Sequence, residues 1–183
     1  MAKDLTKRYG YGQVEPNHLS GIVTGQIYAQ LPAASDIKQL ENGQFAKYDY
    51  AAGTKEPYGE VNFKADADGE WMLVYNEEKL YDERFQSHKD FVYKVEDFTD
   101  GKLYPRLIKT NVGDIFTTNT FAVNEKGPND IVEQTFPTQG TKLYIGTNGI
   151  LSKTGDENGP VFKVVKVYTM PDGTPGVKIQ RIQ

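Results

Sequence analysis

Residues 161–169 read VFKVVKVYT, residues 170–176 read MPDGTPG, and residues 177–182 read VKIQRI. Two runs rich in β-branched residues flank a turn that holds an Asp-Gly pair, which is the pattern of a β-hairpin. On the first run Phe162, Val164 and Tyr168 alternate onto one face with Lys166, while Val161, Val165 and Val167 take the other. Both faces are then largely apolar, so the pattern predicts a strand enclosed by a barrel or a sandwich.

The same turn chemistry recurs along the whole chain. Asn-Gly stands at 42–43, 148–149 and 158–159, and Asp-Gly at 68–69, 100–101 and 172–173. Asn, Asp and Gly accept positive φ, so these pairs suit tight turns between strands. Apolar, β-branched or aromatic runs at 25–31, 44–50, 70–76, 103–109, 114–123 and 142–145 supply further strands. Pro105 lacks an N–H for a ladder and places its run at an edge or a bulge. Residues 33–41 predict one short helix, with Ile37 and Leu40 on one side and Asn42-Gly43 as the stop. Residues 77–90 fit a second helix or a charged surface loop equally well. The fold class that follows is mainly β: a single β-barrel or β-sandwich-like domain over 21–183 with one or two short helices.

The opening residues fit neither regular structure. KRYGYGQVEPNHLSG (7–21) holds three glycines and Pro16, together with Tyr9 and Tyr11 directly after Lys7 and Arg8. Residues 1–20 therefore predict an extended arm that gains order only against another surface, with Lys7, Arg8, Tyr9, Tyr11 and His18 as contact residues. Ordering such a segment costs about 1–2 kcal/mol per residue, so the surface must be extensive.

Composition narrows the chemistry. The chain of 183 residues has no cysteine, which excludes disulfides and thiolate metal sites. The longest apolar run, WMLVY at 71–75, is far too short to span a bilayer, and the first residues have no signal-like apolar core. These features predict a product of the cytoplasm with no membrane partner. A net charge of −4 argues against a general nucleic-acid binder. The charge is uneven: residues 66–100 hold eleven acidic against four basic side chains, and 101–183 hold ten basic against seven acidic. The first of these segments reads as a solvated acidic face or an insertion, or as a surface complementary to a neighbour.

No constellation points to catalysis. ADADGE at 65–70 puts Lys64 and Tyr75 where a calcium loop needs its first and last carboxylates, so it reads as an acidic turn, as does TGDENGP at 154–160. His18 and His88 are isolated, and neither Ser20, Ser35, Ser87 nor Ser152 lies in a nucleophile elbow. Glu77, Glu78, Asp82 and Glu83 are the carboxylates dense enough to suggest a glycosidase pair. The expectation is no enzyme, no metal and no cofactor. Aromatic content stands out instead, with twelve tyrosines and nine phenylalanines. Tyr48, Tyr50 and Tyr58 sit in polar, glycine-rich context and are candidate surface aromatics for a protein interface or, with Trp71, for a sugar platform.

The arm, together with TGQIYAQLPAA (24–34), LENGQFAKYDYAAG (40–53) and KTNVGDIFTTNTF (109–121), resembles the small auxiliary head proteins of tailed bacteriophages, whose genes lie near that of the major capsid protein. The resemblance implies a decoration or cement protein in the virion, made in the host bacterium and bound to the capsid exterior. Its partners would be the major capsid protein and other copies of itself, a trimer among the options. The chain is longer than the smallest such proteins. Alternatives from other classes are a carbohydrate-binding β module and a carboxylate-dependent glycosidase.

Overall fold

The computed structural model describes residues 11–50, 59–76, 92–122, 124–126, 132–134, 136–170 and 173–183. In chain order the strands begin with β1 (Val14–His18), β2 (Ile27–Tyr28), β3 (Gln39–Glu41), β4 (Phe45–Asp49) and β5 (Glu60–Asn62). Next come β6 (Trp71–Val74), β7 (Val92–Lys94), β8 (Leu107–Ile108), β9 (Ile115–Thr118) and β10 (Asn124–Lys126). The last are β11 (Val132–Gln134), β12 (Lys142–Ile145), β13 (Leu151–Ser152), β14 (Phe162–Thr169) and β15 (Pro175–Arg181). One helical turn, α1 (Ser20–Val23), follows β1. The chain is mainly β.

Two sheets carry the architecture. The larger has the order β1-β9-β15-β14-β12-β13, and the second β2-β8-β6-β4-β5, with short pairs β3-β7 and β10-β11 beside them. All pairings between these strands are antiparallel, as hairpin-rich turn chemistry favours. Phe116, Leu143, Phe162, Val164, Val177 and Ile179 point inward from the larger sheet onto Phe45, Trp71 and Leu73 of the second. The alternate residues of the same two strands, Ala46 and Tyr48 on β4 and Met72 and Val74 on β6, point the other way. They pack under a covering layer that includes Leu31, Ile37, Leu40 and Leu103. The second sheet is thus a middle layer buried on both faces, and β4 and β6 are buried at every position.

Several expectations need correction. Residues 33–41 form no helix: Ala33 bridges Val61, and Gln39–Glu41 pair with Val92–Lys94 as β3. Ile37 and Leu40 are buried as expected, but on a non-helical segment, with a turn at Ser35-Asp36, that lies on the middle sheet. Within the 66–100 segment, β6 lies between β8 and β4 in the second sheet. The segment's residues 77–91, including the second helix candidate, lie outside the described residues. The C-terminal hairpin forms, but only one of its faces is core. A bulge at Val165 shifts the register between Val164↔Ile179 and Lys166↔Lys178, which a strict alternation does not foresee. Val165 and Val167 remain 38% and 44% exposed.

The arm also needs redrawing. From Val14 to His18 the chain is a strand paired with β9, and Val14 and Leu19 enter the main core. A Cβ on Gly12 would fall 1.9 Å from the Asn42 carbonyl oxygen, so glycine here permits a close approach rather than flexibility. The Gly12 N–H donates to Glu41 Oε2 at 2.8 Å and the Gln13 N–H to Asn119 Oδ1 at 2.7 Å. The segment gains its order from its own domain. Residues 1–10 lie outside the described residues.

Candidate functional site

Of the residues proposed for the arm, Tyr11 and His18 are among the described residues. Lys7, Arg8 and Tyr9 lie outside the described residues. Tyr11 is half-buried beneath the Lys94 ammonium, 5.3 Å from its ring centroid. A hydrogen bond with the Tyr11 side chain holds the Lys94 pKa above its ordinary value. His18 is exposed at the end of β1, opposite Ile115. Tyr11 therefore ties the segment that precedes β1 to the end of β7.

The surface-aromatic trio also divides. Tyr48 is buried and its hydroxyl accepts the Gln30 N–H at 3.1 Å, while its ring contacts Tyr28 and Tyr50 at 5.2 and 5.1 Å. Burial raises the Tyr48 pKa. Its place on β4, whose two faces both meet apolar layers, explains why a polar context in sequence misjudges it. Tyr50, the next residue but one, is 61% exposed. Tyr58 lies outside the described residues, as do Glu77, Glu78, Asp82 and Glu83.

Trp71 borders a cleft of about 340 Å³ with Lys47, Glu70, Asp156, Asn158 and Arg181. Each charged group there has an internal task. The indole N–H donates to Asp156 Oδ2 at 2.8 Å. Lys47, buried on β4, donates from Nζ to the carbonyl oxygens of Ala65 and Ala67 at 2.6 and 2.8 Å, with its ammonium 5.4 Å from the Trp71 ring centroid. A lysine therefore occupies the carbonyls of the ADADGE turn. Glu70 meets Lys109 at 2.7 Å and Arg181 at 3.9 Å. Arg181 also donates to the Thr110 carbonyl and hydroxyl, and burial lowers its pKa. With Trp71 only 4% exposed, no indole face stands open to stack on a sugar.

The outer face of the larger sheet differs. Lys142 lies directly opposite Lys163, and Lys166 directly opposite Lys178, across the neighbouring strands β12, β14 and β15. Lys142, Lys163 and Lys178 adjoin the buried Leu143, Phe162, Val164, Val177 and Ile179, so alternation turns them outward, and Lys166 shares their face through its direct pairing with Lys178. Like charges in direct cross-strand register destabilise a sheet. None of these four ammoniums forms an ion pair with another described residue. Tyr144 and Tyr168 share the face by the same alternation and are half-buried. Sequence reasoning misses this face because strict alternation puts Lys166 on the side of Phe162 and Val164, and the bulge reverses its side. The sequence signal was Lys163 and Lys178, each set between residues that point into the core.

No family model matches the chain, and neither a curated protein nor a solved structure similar to it was found.

Proposed function

We propose that this chain is a structural virion protein that docks on the exterior of a tailed-phage capsid and reinforces it. The resemblance of its sequence at 7–21, 24–34, 40–53 and 109–121 to auxiliary head proteins suggests the partner, the major capsid protein. The observation that supports a docking role is the lysine face. Two directly opposed lysine pairs on adjacent strands contribute repulsion to the fold and nothing to its core. Such a face is useful when a partner supplies the counter-charge. The charged groups around Trp71, by contrast, are committed to the fold, which leaves the glycosidase and sugar-platform readings without a site in that cleft.

Co-sedimentation of purified protein with heads that lack it tests the proposal. Saturable binding at a fixed number of copies per head, with heads that then withstand heating or low salt better, is the expected result. Heads that remain bare and no more stable at micromolar protein would overturn it.

A further inference from the structure

We infer that the outer face of β12, β14 and β15 is the docking surface, and that its partner is a carboxylate-rich protein surface. The inference rests on the proposed capsid role for the identity of the partner, but its chemistry comes from the face alone. Lys142, Lys163, Lys166 and Lys178 stand in two opposed pairs about 10 Å apart along β14. Interface-type side chains lie among them: Tyr144 and Tyr168, with Val165 exposed by the bulge. Tyrosines set in a charged field are anchors suited to a protein contact.

Charge placement favours a protein over a nucleic acid. The covering layer, on the opposite side of the middle sheet, exposes Asp36, Glu96, Asp97 and Asp100 against Lys38 and Lys102. The whole chain carries −4. A long polyanion would meet that repulsion beyond the lysines, whereas a protein surface meets only the face it touches. Docked in this way, the molecule turns its acidic covering layer away from the partner.

Two variants and three probes test the inference. K163Q/K166Q removes one charge from each opposed pair, and K142E/K178E reverses the other two. Both should fold, and K163Q/K166Q should melt no lower than the parent because a repulsion has been relieved. Binding to heads should fall at least about tenfold for K163Q/K166Q, with a shallower salt dependence, and further for K142E/K178E. Parent protein that binds heads, with variants that bind equally well, refutes the face and leaves the capsid role intact. Parent protein that ignores heads yet is held on immobilised poly-L-glutamate, with retention lost in both variants, refutes the capsid role and upholds the face. Tighter lysine-dependent binding to oligothymidylate than to poly-L-glutamate overturns the protein partner. No lysine-dependent binding to any of the three probes overturns the inference as a whole.

Discussion

Phe45 is the residue on which the joining of the two large sheets can be tested most directly. It is fully buried on β4, and its ring lies 5.1 Å from Phe162 on β14 and 6.3 Å from Phe116 on β9. Phe116 and Phe162 are themselves 5.8 Å apart, so three rings tie the middle layer to the larger sheet. Phe45→Ala removes a full ring from a site whose neighbours are strands and cannot collapse freely, and should cost about 3–5 kcal/mol. For a domain of this length each kcal/mol lowers Tm by roughly 2–4 °C, so the loss should be about 6–20 °C. Phe45→Leu and Phe162→Leu keep most of the apolar area but break the ring contact. Their double-mutant cycle should give a coupling of about 0.5–1.5 kcal/mol. Urea unfolding followed by circular dichroism and by the emission of the single tryptophan, Trp71 in the same core, measures both quantities. A cost of Phe45→Ala below about 1 kcal/mol, or a coupling within error of zero, would refute the packing of the two sheets through these rings.

Three further outcomes follow from the same packing. Leu19→Ala should cost about 2–5 kcal/mol in chemical denaturation, and Val14→Ala less, because β1 belongs to the core; no change in either would restore the free-arm reading. Gly149→Ala should lower Tm far more than Gly140→Ala. Both glycines have positive φ, but only at 149 would a Cβ fall 1.9 Å from the Phe45 carbonyl oxygen, and equal effects would refute that contact. Tyr48 is held above its ordinary pKa of 10.0 by burial, so as pH rises past about 10 the unfolded chain ionises first. Its contribution is complete below that pH and is lost as pH climbs through the folded value. Tyr48→Phe should flatten the alkaline fall in stability, read by urea midpoints across that range, and an unchanged slope would contradict the assignment.

The β character was legible in sequence because turn chemistry and side-chain alternation are local. Asn148 and Gly149 take φ of 55° and 69° in the β12–β13 connection, the two positive values that a tight hairpin turn requires. Residues 142–145 form β12 as read, and the Phe162, Val164, Val177 and Ile179 positions enter the core. Layer order was not legible, because it depends on contacts between residues far apart in the chain. Residues 33–41 have a helical spacing of apolar positions, yet form a bridge, a turn at Ser35-Asp36 and a strand, because the Ala34 N–H donates to the Val61 carbonyl and Leu40 pairs opposite Tyr93.

Composition and local pattern determined that this chain has no thiol chemistry, abundant tight turns and a core built of aromatic and β-branched strands. Tertiary structure decided which faces of those strands meet. Gly12 and Pro16 look like breakers until β9 offers β1 a ladder. Tyr48 looks like a surface residue until a covering layer closes over β4. The lysines became one face only when a bulge at Val165 and the pairing of three strands brought them into register. Burial and register are properties of pairs of segments distant in sequence, and side-chain periodicity within one segment cannot encode them.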